Sequence, residues 1–237
     1  DSHGNKIWEK TFGGTMWDVG EAIIELKGGG FLIAGHSNSP KISSGNSDIY
    51  LIKIDNDGNI IWEKGHGNLE FPNHEWAYDL NQLNDEGFLV VGARDRYSQG
   101  SKNALIIRID KEGNLLWEKE FVTDGNISEV IYSLTNDNNG NFFICSTTNS
   151  ILDPNVFQPK ILKIDIEGNI GWSRTFLANG KDYHRFRSTQ AKNGDVILVG
   201  TSSRKVARGY DEDAFMIRLD GNGNIIWTLP YGTYDND

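Results

Sequence analysis

Short apolar runs return at a fixed interval along this chain, each followed by a glycine or serine. The first is Phe31-Leu32-Ile33-Ala34-Gly35, and the next is Phe88-Leu89-Val90-Val91-Gly92. Phe142-Phe143-Ile144-Cys145-Ser146 and Val196-Ile197-Leu198-Val199-Gly200 complete the set. Runs of this length between turn residues predict buried strands. Alternating segments that end in aspartate follow each of them, at 49–55, 105–110, 161–165 and 215–220. Then comes the phrase Gly-Asn-x-x-Trp, which places Trp8, Trp62, Trp117, Trp172 and Trp227 54 or 55 residues apart. An interval this regular marks a structural repeat. No apolar period of 3.6 runs for ten residues, so helices are not expected.

Each unit reads as four strands, a to d. In the first unit these are 22–27, 31–35, 48–55 and 60–64, with Gly28-Gly29-Gly30 and Asn56-Asp57-Gly58-Asn59 as hairpin turns. A four-stranded unit that must bury both faces against neighbours predicts an all-β fold, a β-propeller of antiparallel blades with four blades' worth in this chain. The units fall at about 11–64, 65–119, 120–174 and 175–229, with an extra tryptophan strand at 4–10, in a single domain spanning 1–237. A parallel β-helix is the alternative, but its coils are shorter and lack paired hairpins. Five d strands stand against four sets of a, b and c. This leaves open whether the ring closes with four blades or is a slice of a larger propeller.

The net charge of −10 argues against nucleic acid or an anionic membrane as partner. One cysteine permits no disulfide within the chain, and its place in strand b makes Cys145 a core residue. No apolar run reaches the ~20 residues a membrane-spanning helix needs.

The phrases Gly29-Gly30-Phe31-Leu32-Ile33-Ala34-Gly35, Ile52-Lys53-Ile54-Asp55 and Asp55 to Trp62 resemble a class of secreted bacterial and archaeal propeller repeats. The last phrase is also similar to the tryptophan-docking motif of quinoprotein propellers. The resemblance covers essentially the whole chain. It implies extracellular or surface proteins, mostly without assigned activity. The third unit departs from the pattern at Asn141 and Ser146.

The d–a and b–c connections are long and predicted to share one rim, where binding residues gather. Glu21, Glu75, Glu129 and His184 occupy similar places before strand a, as a polar ring at the channel mouth or as loop caps and ion pairs. Trp17, Trp76 and Tyr183 serve as sugar platforms or as packing between blades. His36, Arg94 and Arg185 join them as ligand-binding candidates. The bases Lys53, Arg108, Lys163 and Arg218 suit cross-strand ion pairs, with Glu63 or Glu118 as acids. The phrase Asp55-Asn56-Asp57-Gly58-Asn59 starts like a calcium loop, but His66 stands where the bidentate acid belongs, so it is expected to be a turn. No metal, cofactor or catalytic residue is expected from the motifs.

The expectation is an extracellular, non-catalytic propeller that binds a glycan or a cell-surface protein through its long-loop rim. Further repeats or another chain would complete its ring. The alternatives are an enzyme, a polysaccharide hydrolase or lyase or a quinoprotein, using channel-mouth acids, and a structural spacer.

Overall fold

The computed structural model describes residues 2–43, 46–67, 73–95, 101–121, 127–149, 156–176, 182–206 and 209–231, with main chain alone at 204–206 and 209–210. Four antiparallel sheets of four strands follow one another along the chain. The first blade holds β1 (Asp18–Glu25), β2 (Phe31–Ser37), β3 (Asp48–Ile54) and β4 (Ile60–His66). The second holds β5 (His74–Gln82), β6 (Phe88–Asp95), β7 (Lys102–Ile109) and β8 (Leu115–Phe121). The third holds β9 (Glu129–Asn136), β10 (Asn141–Asn149), β11 (Phe157–Asp165) and β12 (Ile170–Thr175). The fourth holds β13 (Asp182–Gln190), β14 (Val196–Val206), β15 (Gly209–Leu219) and β16 (Ile225–Tyr231). The fold is the β-propeller, and its first strands β1, β5, β9 and β13 pack in that order around the axis.

The core consists of apolar layers between blades. Leu32, Ala34 and Leu51 of the first blade meet Leu80, Phe88 and Val90 of the second. Leu89, Val91 and Ile106 then meet Leu134, Phe142 and Ile144, and Phe143, Cys145 and Ile161 meet Phe186, Val196 and Leu198.

The repeat tryptophans lock each blade to the next. Trp62 Nε1 donates to the carbonyl of Lys111 in the second blade's c–d turn at 3.3 Å, and Trp8 Nε1 donates to Asn56 in the first blade's at 3.0 Å. Gly113 in the second blade's turn has a φ of 79°, and a Cβ there would lie 2.9 Å from the Trp62 ring. Glycine is therefore required both for the left-handed backbone and for the approach of the indole. Gly168 and Gly223 meet Trp117 and Trp172 in the same way. The aspartate that opens each turn is consumed by it. The Asp55 carboxylate accepts the amides of Asp57 and Asn59 at 2.9 and 2.8 Å. That is an Asx-type turn, not a calcium loop.

Three expectations need revision. Strand a of the first blade begins at Asp18, four residues before the expected Ala22, because a bulge breaks its alternation. Residues 4–10 hold their tryptophan in place but belong to no sheet. The fourth b–c connection, expected like the others to be a long loop, is mostly a continuation of the β14–β15 hairpin over the described residues.

Candidate functional site

Every inner strand carries a β-bulge at the same level, opposite the end of strand b. Gly20 and Ala22 pair with Gly35 and Ala34, which leaves Glu21 extra. Ala77 and Asp79 pair with Gly92 and Val91, leaving Tyr78. Ile131 and Ser133 pair with Ser146 and Cys145, leaving Tyr132. His184 and Arg187 pair with Thr201 and Val199, leaving Arg185 and Phe186 opposite Gly200. Arg185 takes a left-handed φ of 53° there.

The glycines that end strand b are the other half of this device. A Cβ on Gly35 would lie 1.8 Å from the Val19 carbonyl oxygen, and one on Gly92 would lie 1.8 Å from that of Trp76. In the first two blades the bulged strand presses its backbone onto the glycine, so glycine and extruded residue belong together there, whereas the third blade sets Ser146 opposite the same bulge.

The extruded side chains gather at the axis. The rings of Tyr78 and Tyr132 lie 5.3 Å apart. Burial pushes the Tyr78 phenol up to about 12, helped by Tyr132 and by the charge of Glu21. Burial raises Tyr132 as well, against the opposing effects of a hydrogen bond with Thr147 and of the charges of Arg185 and Arg187. Arg187 donates to the Tyr132 carbonyl and, at 3.5 Å, to that of Tyr78, so one guanidinium spans three blades. Asp79 accepts the amides of Leu80 at 2.9 Å and Leu134 at 2.8 Å, and burial holds its carboxyl above the ordinary range.

The expected ring is only partly present. Glu21 and Arg185 stand at the axis. Glu75, Glu129 and His184 are replaced there by Tyr78, Tyr132 and Arg185, because counting residues from strand a ignores the bulge. The register counterparts of Glu75 and Glu129 in the first blade place Asp18, not Glu21, beside them, each two residues beyond the strand-b glycine or serine.

Those acids are structural. Glu75 is buried and accepts Arg94 Nε at 2.8 Å. Arg94 also grips Glu118 bidentately at 2.9 and 3.0 Å. Burial works against its charge, but the carboxylates of Glu118, Glu75 and Glu120 prevail and raise its pKa. Glu129 accepts Ser146 Oγ at 2.8 Å and Lys160 Nζ at 2.7 Å. Asp18 accepts Ser37 Oγ at 2.5 Å and Ser39 Oγ at 3.1 Å. The strand-c bases pair with acids at the a–b turns instead of strand d: Arg108 with Asp85, Lys163 with Asp137 and Arg218 with Asp195.

The aromatic candidates divide. Trp17 is 78 % exposed and remains an open platform. Trp76 stacks on His74 at 5.7 Å, meets His36 edge-on at 6.4 Å and lies under Lys102 Nζ at 4.6 Å. Tyr183 is a core residue against Phe215 and Phe186. His184 pairs with Asp182 at 2.9 Å. A cleft of about 360 Å³ between the first two blades is lined by Asp48, His66, Arg94 and Glu118 among others, within the size range of small-ligand pockets. Among the described residues no cluster suits a metal ion, and no helix is long and apolar enough to cross a membrane.

No protein-family model matches the chain, and no curated protein matches it. Solved structures do. An alpha-L-arabinanase of Penicillium chrysogenum, complexed with arabinobiose, aligns at 11 % identity with a TM-score of 0.62, covering 91 % of this chain and 67 % of that one. An ulvan lyase of a new polysaccharide lyase family aligns at 8 % identity and 0.57, covering 90 % of this chain and 57 % of that one. A thermostable family-43 glycoside hydrolase aligns at 10 % identity and 0.54, covering 90 % and 76 %. At these identities the likeness shows the fold alone. These three neighbours are carbohydrate-cleaving enzymes, and a protein of unknown function from Dyadobacter fermentans aligns as well, at 16 % identity and 0.54, covering 91 % of this chain and 64 % of that one. The expectation of a non-catalytic binding propeller is corrected by these neighbours, which favour its enzymatic alternative.

Proposed function

We propose that the chain is a polysaccharide-cleaving propeller that acts by β-elimination on an acidic glycan at the axial cluster, in an extracellular or surface setting. The observation that carries this reading is the pair Tyr78 and Tyr132, in contact but in opposite charge environments. Burial raises both phenols, and the neighbouring charges are what distinguish them: an acid beside Tyr78, two arginines beside Tyr132. Tyr78, held protonated beside Glu21, is the proton donor. Tyr132, beside Arg185 and Arg187, is the proton acceptor. Arg185 meets the uronate carboxylate and neutralises it, which acidifies the neighbouring C–H.

In the step, Tyr132 first gives its proton to solvent, the guanidinium charges of Arg185 and Arg187 compensating the phenolate; the proton then leaves C5 for that phenolate oxygen, and the electron pair of the C–H bond forms the C4–C5 double bond. The C4–O bond breaks, and the leaving oxygen takes the Tyr78 proton. No water is consumed, and exchange with solvent resets both phenols. Arg187 is a positioning residue, since its guanidinium already ties the bulges together.

Hydrolysis, the reaction class of the family-43 glycoside hydrolase, is the second reading. It needs two carboxyl groups flanking the bond. Glu21 is an exposed carboxylate at the axis, whereas Asp79 is engaged by two backbone amides. The test is incubation with polyuronates and with neutral arabinan, following ultraviolet absorbance of the unsaturated product together with reducing ends. Elimination gives both signals on polyuronates, and Tyr132→Phe abolishes them. Reducing ends without the chromophore would favour hydrolysis. No cleavage of any polyuronate by the folded chain would refute the elimination chemistry.

A further inference from the structure

The two flanking walls of the propeller expose positions that every internal blade contact buries. On the fourth blade, Val199 is 42 % exposed, while its counterparts Ala34, Val91 and Cys145 are at most 1 % exposed. Leu229 and Tyr231 on the same face are exposed. On the first blade, Ile23 is 59 % exposed, against 2 % for Leu80 and 5 % for Leu134 at the same register. No packing comparable to that between the other inner strands joins β13 to β1.

The tryptophans give this gap a shape. Each of Trp8, Trp62, Trp117 and Trp172 sits on the c–d turn of the blade that follows it. Trp227 occupies the same register in β16, opposite Arg218 as Trp62 is opposite Lys53, but meets no such turn among the described residues. At the other wall, the segment around Trp8 is seated on the first blade like a d strand, yet it has no c strand beside it.

We infer that the gap between the fourth and first blades is the docking site for one further unit of the same repeat, supplied as three strands. Its c–d turn seats Trp227, and its c strand pairs with the Trp8 segment, which serves as its fourth strand. The inference is independent of the elimination chemistry. Continuity with the three established blade contacts identifies the occupant. A second copy of this chain does not fit: each of its blades already has four strands, and the turn of its first blade is filled by its own Trp8. One feature of the contact differs from its siblings. Lys10, Lys64 and Lys119 each donate to the asparagine of the next turn, whereas Leu229 stands in the fourth blade's place and makes the contact more apolar. The docked unit also brings its own inner strand to the axis, between Arg185 and Glu21.

The test extends the chain by joining a copy of residues 67–114 after Tyr231, which preserves the spacing from the tryptophan. Amide hydrogen exchange is then followed by mass spectrometry, with sedimentation to give the oligomeric state. In the unextended chain, 225–231 should exchange at least about tenfold faster than 60–66, because only the latter strand is covered. The extended chain should be a monomer in which 5–11 and 225–231 slow by about that factor, and Trp227→Ala should remove the slowing at 225–231. Equal protection of 60–66 and 225–231 in the unextended monomer would overturn the inference. So would a dimer that protects them, or an extension that leaves both segments unchanged.

Discussion

Replacing Gly92 with alanine tests the link between the strand-b glycine and the axial bulge. The new Cβ would lie 1.8 Å from the Trp76 carbonyl oxygen, 2.8 Å from its carbon and 3.1 Å from the Ala77 Cα. Carbon and oxygen in contact are normally separated by more than about 3 Å. The overlap therefore exceeds an ångström, and all three atoms are backbone, so no side-chain rotation relieves it. Either β5 separates from β6, or the bulge at Tyr78 flattens and the strand shifts register. Overpacking against fixed neighbours costs about 1–3 kcal/mol, and this site belongs at or beyond the upper end. In a chain of this size each kcal/mol lowers the melting temperature by about 2–4 °C, so a loss of at least about 6 °C is expected. Gly20→Ala is the matched control, because the nearest atom to its Cβ is a methyl of Ile33 at an ordinary 3.7 Å. Urea unfolding followed by tryptophan fluorescence, together with near-ultraviolet dichroism of the tyrosine pair, measures both effects. If Gly92→Ala matches the control in stability and leaves the tyrosine signal intact, the bulge does not impose the glycine.

Trp62→Ala should cost about 3–5 kcal/mol, since the indole fills the space between its blade and the next turn, whereas Trp227→Ala should cost far less in the same chain; thermal unfolding of both variants checks this. Arg94→Met should destabilise by about 3–5 kcal/mol in urea titration, because the buried Glu75 loses its cation and Glu118 its bidentate partner. Burial depresses the pKa of both His36 and His66, so the unfolded chain binds protons first. Their contribution to stability is present above about pH 6.5 and is lost as pH falls through the depressed values. His66→Gln should remove part of that acid-side loss in unfolding measured from pH 7 to 5. Burial pushes the Cys145 thiol up to about 12, so thiol reagents should label it only after unfolding, as mass spectrometry would record.

The repeat interval, the four strands per unit, the turns and the core position of Cys145 were all legible in the sequence. Strand alternation and turn chemistry are local properties, and repeating them four times removes the ambiguity of any single copy. The glycines ending strand b were also visible, as scaffold. Their partnership with the bulges was not, because a bulge is defined by pairing two residues of one strand against one of its neighbour. That pairing decided that Tyr78 and Tyr132 reach the axis, while Glu75 and Glu129 turn into buried ion pairs. Counting along the chain put Glu21 at the channel mouth but could not separate such a position from that of an acid three residues away, and it chose His184 for the ring where the bulge extrudes Arg185. The partners of Arg94 and of the strand-c bases were equally hidden, since several carboxylates in each blade were compatible with them in sequence and only the packed sheets chose among them. The unmatched fifth tryptophan strand was apparent from spacing alone. Only the tertiary structure turned it into a gap of definite shape, because the exposure of Ile23 and Val199 depends on which blades stand beside them.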